Sequence, residues 1–135
     1  MRAVRGYVGV AARRALARRL LGAALMWGAA ACSRTPPVTV QVQGTVRVVG
    51  TRKPIAGAEV NIEWPAVLGG GQSLVKTNAA GQFAVGRTRR QPPATCAGLA
   101  LTVQAPGFAS AYLRHETGCG DYVLNFDFVL LPQPR

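Results

Sequence analysis

From Val38 onward the chain alternates apolar and polar side chains with a period of two. Val38, Val40, Val42, Val46 and Val48 share one face while Thr39, Gln41, Gln43, Thr45 and Arg47 share the other, the pattern of a strand buried on one side. Turn chemistry at Gly50-Thr51-Arg52-Lys53-Pro54 ends it. A second strand follows, with Ala58, Val60, Ile62 and Trp64 facing in and Glu59, Asn61 and Glu63 facing out. Similar runs predict strands over about 73–78, 82–88, 99–105, 109–114 and 121–131, the last carrying Tyr122, Leu124, Phe126, Phe128 and Leu130 on one face. Asn78–Gly81 and Pro106-Gly107 are expected to be tight turns, because glycine accepts the positive φ a corner needs and proline presets the preceding residue. No helical period appears after position 32. The pattern predicts an all-β fold, an antiparallel seven-stranded β-sandwich.

Alternation of strand direction sorts the connections into two poles. If every connection reverses the chain, the tight turns near 50–54, 79–81 and 106–108 share one pole. The longer loops 65–73, 87–98 and 115–120 share the other with the start of the first strand. Cys96 and Cys119 then fall together, as do Trp64, Arg87, Arg89, Arg90 and His115.

The N-terminus is built differently. Arg2, Arg5, Arg13, Arg14, Arg18 and Arg19 precede an apolar run, Leu20 to Ala31, which ends in small residues. This is the order of a helical export signal. The run has 12 residues, short of the roughly 20 a membrane-spanning helix needs. Neither arginine pair has the Ser/Thr-Arg-Arg setting of a twin-arginine signal. Ala29-Ala30-Ala31-Cys32 resembles the lipobox of bacterial lipoproteins, in which cleavage leaves a diacylglyceryl cysteine as the first mature residue. It departs from that family at Ala29, where leucine is commoner, and Ala29 and Ala31 also fit an ordinary Ala-x-Ala cleavage site. The resemblance implies a signal over 1–31, a lipidated tether over 32–37 and a domain over 38–135. Ser33 after the cysteine, in place of Asp, implies an outer-membrane lipoprotein facing the periplasm of a two-membrane bacterium.

Charge is read differently once it is located. Of the 16 basic residues, six lie in the signal, and no acid precedes Glu59. The remainder has ten basic and five acidic residues, net +5. It offers no aromatic-basic platform or recognition helix, so no nucleic-acid partner is expected.

Four short segments carry a family resemblance. Lys53-Pro54-Ile55-Ala56-Gly57-Ala58-Glu59-Val60 follows Gly44-Thr45-Val46, and Thr77-Asn78-Ala79-Ala80-Gly81-Gln82-Phe83 then precedes Val103-Gln104-Ala105-Pro106-Gly107-Phe108. In this order they resemble the carboxypeptidase regulatory-like domain over roughly residues 40–131. The resemblance implies a transthyretin-like (prealbumin-like) sandwich of accessory, non-catalytic character. The enzyme branch of that fold, the hydroxyisourate hydrolases, has several active-site histidines and a terminal Tyr-Arg-Gly-Ser. This chain has His115 alone and ends Leu131-Pro132-Gln133-Pro134-Arg135.

Candidate chemistry is sparse. Glu59, Glu63 and Asp127 fall on outward strand positions, and Gly69-Gly70-Gly71 lacks the Lys-Ser/Thr of a phosphate loop and reads as flexible. Cys96 and Cys119 admit three readings: a disulfide, free thiols, or a metal site with His115. Export to an oxidising compartment favours the disulfide, and the spacing of known zinc sites is missing. The expectation is therefore a lipid-anchored, non-catalytic envelope module with no cofactor and no metal. It would touch membrane, protein or glycan, with Trp64, Arg87, Arg89, Arg90 and His115 as contact residues. The alternative is an accessory subunit of a separately encoded transporter or peptidase.

Overall fold

The computed structural model describes residues 35–134. The expected signal over 1–31 and Cys32, the expected lipidation site, lie outside the described residues. Seven strands follow one another: β1 (Val38–Val48), β2 (Glu59–Glu63), β3 (Gln72–Lys76), β4 (Gln82–Arg89), β5 (Leu99–Gln104), β6 (Ala111–His115) and β7 (Val123–Leu130). They form two sheets, ordered β4-β1-β7 and β3-β2-β5-β6, that face each other as a sandwich.

The period-two reading sets the inner faces. Val40, Val42 and Val46 of β1, Val60 and Ile62 of β2, Leu99, Leu101 and Val103 of β5, and Leu124, Phe126, Phe128 and Leu130 of β7 are all buried. β7 alternates without exception between exposed and buried positions, as a strand with one wet face must. Gly44 shares the inward parity of Val42 and Val46. A Cβ there would lie 1.7 Å from the Phe126 carbonyl oxygen, so only glycine lets β1 approach β7 this closely.

One pairing departs from an all-antiparallel sandwich. β1 runs antiparallel to β4 but parallel to β7, with Gln41 opposite Val123 and Val48 opposite Leu130. Strict reversal at every connection makes odd-numbered strands co-directional, so any sheet that seats β1 beside β7 must hold one parallel pair. β2–β3, β2–β5 and β5–β6 are antiparallel.

The tight-turn pole is closed by backbone and one buried hydroxyl. Gly81 (φ +73°) and Gly107 (φ +82°) occupy the predicted corners. Asn78 Oδ1 accepts the N–H groups of Ala80 and Gln82 at 3.0 and 2.9 Å, an Asx turn. Thr77, the buried polar residue of the core, accepts the Ala58 N–H at 2.9 Å and donates to the Ile55 carbonyl at 2.6 Å. It thereby fastens the Pro54–Ala58 reversal to the β3–β4 hairpin.

Two local expectations change. Tyr122 has φ +67°, so β7 starts one residue after it. The 65–71 loop is also ordered. A single 3₁₀ turn, Ala66–Leu68, drives Leu68 into the core, and the glycines that follow take φ +96°, +63° and +76°. Their positive φ values bend the chain back, and Gly70 N–H donates to the Pro65 carbonyl and Trp64 N–H to that of Gly71. Three glycines here serve a fixed path that residues with a Cβ disfavour.

Candidate functional site

Two regions offer chemistry: the long-loop pole and the outer faces of the sheets. At the pole the expected cluster assembles. Cys96 and Cys119 are bonded as a disulfide with Cα atoms 4.9 Å apart, and both are buried. The Gly98 N–H donates to the His115 carbonyl, so the bridge and the β6 terminus are tied together.

The residues expected to make contacts at this pole divide. Trp64 is 5% exposed, and its indole N–H donates to Ser73 Oγ at 2.9 Å. The Arg87 guanidinium lies 4.6 Å above that ring, and its Nη1 donates to the Leu68 and Gly70 carbonyls. Trp64 and Arg87 therefore form an internal stack that closes the open end of the sandwich. Arg89 is half-buried, with Nη1 2.9 Å from where a Cβ on Gly69 would sit. Arg90 is exposed. His115 is half-buried with its ring edge-on to Phe126. Its Nε2 lies 2.9 Å from the Gly118 carbonyl and 3.2 Å from Thr117 Oγ1. A carbonyl only accepts, so Nε2 carries the proton and Thr117 has no base at that nitrogen. Among the described residues no three His, Cys, Asp or Glu side chains come together to hold a metal ion.

Strand parity accounts for this arrangement. Arg87 and Arg89 are in step with Phe83 on β4, and Trp64 is in step with Val60 and Ile62. Both point toward the interface between the sheets, and the stack forms where the strands run out of apolar residues.

The two outer faces differ in how their polar groups are engaged. On the three-stranded sheet they bond to one another: Thr39 with Thr88 (2.9 Å), Gln41 to Gln43 (3.3 Å), Gln43 to Asn125 (2.8 Å) and Thr45 to Asp127 (2.7 Å). On the four-stranded sheet the register aligns Leu74, Asn61, Thr102 and Tyr112 in one row across β3, β2, β5 and β6. Leu74 and Tyr112 are each 65% exposed at its two ends. Lys76, Glu59 and Gln104 flank it on one side, and Gln72, Glu63, Ala100 and Arg114 on the other. A shallow groove runs along Glu59, Asn61, Gln72, Leu74, Thr102 and Gln104.

No protein-family profile and no curated protein sequence matches the chain. Several solved structures share its fold. Chlorocatechol 1,2-dioxygenase from Pseudomonas putida superposes with a TM-score of 0.52 at 15% identity, over 70% of this chain and 61% of that one. Catechol 1,2-dioxygenase from Acinetobacter radioresistens gives 0.56 at 13% identity, over 72% and 53%. The dioxygenase domain of a dioxygenase carbohydrate-binding protein fusion from Streptomyces sp. SirexAA-E gives 0.54 at 19% identity, over 75% and 84%. The chain thus spans about three-fifths of the Pseudomonas enzyme's length. At these identities the likeness is one of β-sandwich fold alone.

Proposed function

We propose that this chain is a non-catalytic binding module of a bacterial envelope, held by a lipid on Cys32 at the periplasmic side of the outer membrane. The placement of Val38 carries this reading. β1 starts at the long-loop pole, and six residues separate that point from the end of the signal. Extended, six residues span about 20 Å, so a lipid on Cys32 keeps this pole beside the bilayer. Arg90, the exposed part of Arg89 and Val67, 46% exposed, then face the head groups.

The non-catalytic part rests on how the candidate groups are engaged. His115 donates a hydrogen bond within its own loop, Glu59 and Glu63 stand at the two ends of β2 on its outer face, and Asp127 stands on the outer face of β7 in the other sheet. The four short segments from Gly44 to Phe108 support a resemblance to carboxypeptidase regulatory-like domains. Gly57 (φ +70°), Gly81 and Gly107 take the left-handed conformations those segments require.

The deciding measurement is the intact mass of the protein extracted from envelopes, with and without reductant. A diacylated or triacylated chain starting at Cys32, gaining two hydrogens on reduction, is the expected result. An unlipidated species in the soluble fraction would overturn the anchored reading.

A further inference from the structure

We infer that the outer face of the β3-β2-β5-β6 sheet binds an uncharged polysaccharide chain lying across the strands, with Tyr112 as its stacking platform. This names the ligand class of the module proposed above and rests on its being exported. The row Leu74–Asn61–Thr102–Tyr112 crosses three strand intervals of about 4.8 Å, or roughly 14 Å. This is an extended track, wider than one small molecule needs.

Three observations select the occupant. The first is unused hydrogen-bonding capacity. Among the described residues, no side-chain hydrogen bond within the chain engages Asn61, Gln72, Thr102 or Gln104, whereas the opposite outer face is cross-bonded. Amides and hydroxyls both donate and accept, which suits sugar hydroxyls that do the same. The second is the ring. Tyr112 stands 65% exposed on an edge strand, offering a flat apolar surface of the kind on which the C–H face of a pyranose packs, with its hydroxyl free at the rim.

The third is charge. Lys76 and Arg114 meet Glu59, Glu63 and Glu116 here, with Lys76 3.8 Å from Glu59 and Arg114 2.6 Å from Glu116. Within a mature chain of net +5 this patch has no positive excess. A nucleic acid or an anionic lipid surface would be drawn elsewhere, to Arg89 and Arg90. A peptide adding as a strand would use the backbone of an edge and leave the centre of the face idle.

Isothermal titration calorimetry of the full chain, purified from membranes in detergent, tests the inference. Cellohexaose, xylohexaose and chitohexaose serve as neutral probes and polygalacturonate as the anionic one. Saturable binding of at least one neutral hexasaccharide is expected. Tyr112→Ala should weaken it about tenfold, the scale of losing one aromatic anchor. Asn61→Ala should weaken it as well, while Gln43→Ala on the opposite sheet leaves it unchanged. Near-identical thermal unfolding of the variants separates a lost contact from a lost fold.

Failure of all three neutral probes to bind overturns the inference. So does binding undiminished by Tyr112→Ala, binding of polygalacturonate alone, or a protein crosslinked at position 112 in envelopes without any oligosaccharide affinity. None of these outcomes bears on the lipid at Cys32, which the mass measurement reads separately.

Discussion

Replacing Thr77 with valine removes one oxygen and keeps the shape, so it isolates what a single buried hydroxyl does for this fold. In the native structure Thr77 Oγ1 is the partner of both the Ala58 N–H and the Ile55 carbonyl. The Ile55 N–H, the Gly57 N–H and the Ala58 carbonyl are engaged elsewhere, with Val46, the Thr77 carbonyl and the Thr77 N–H respectively. Valine thus leaves a donor and an acceptor unpaired beside a residue that is 5% exposed. Each orphaned buried group costs about 1–3 kcal/mol, and partial relaxation of the turn brings the sum to about 3 kcal/mol. Serine keeps both bonds and loses one methyl, about 1 kcal/mol. For a domain of this size the valine change should lower the urea midpoint by about 1–3 M and the melting temperature by about 12–24 °C, with the disulfide intact. The assay is urea and thermal unfolding of Thr77→Val and Thr77→Ser side by side, followed by circular dichroism. A loss under about 1 kcal/mol for valine, or equal losses for valine and serine, would refute the argument that the hydroxyl pins the two turns.

Other substitutions test the packing and the proposal that the long-loop pole faces a membrane. Gly44→Ala places a Cβ against the Phe126 carbonyl and should cost about 3 kcal/mol or more. Gly118→Ala, which meets open space, should stay within about 0.5 kcal/mol, and comparable losses for both would contradict the close approach of β1 and β7. In an unlipidated Cys32→Ser background, the Arg89→Glu, Arg90→Glu double variant should bind phosphatidylglycerol vesicles at least about tenfold more weakly, since each basic residue near anionic head groups contributes about 1 kcal/mol. Arg87→Ala should act on unfolding instead, by releasing the Trp64 stack; cosedimentation unchanged by the double reversal would remove the pole from the membrane.

Much of this protein is legible in one dimension because a strand's side chains alternate with a period of two. That periodicity fixed the inner faces of β1, β2, β5 and β7, and glycines at positive φ fixed the corners at 81 and 107. Strand-direction parity brings Cys96 and Cys119 to one pole, because reversal at each connection leaves only two places for a loop to be. Parity could not say which strands become neighbours. Lateral order depends on how the two sheets bury their apolar faces together, and that seats β1 between β4 and β7 with one parallel pair.

The same limit governs the side chains with mixed character. Arginines at the end of a strand look like surface chemistry when read locally. Only the facing sheet shows Arg87 lying over Trp64 and bonding to the carbonyls of Leu68 and Gly70. Thr77 looks like one more hairpin residue until the Pro54–Ala58 turn packs on it. The row of Leu74, Asn61, Thr102 and Tyr112 draws on four strands spread over 52 positions, and no local pattern links them. Local sequence determines which way each residue points. The tertiary structure decides what it meets there, because contacts between strands distant in the chain are set by the register and order of whole sheets.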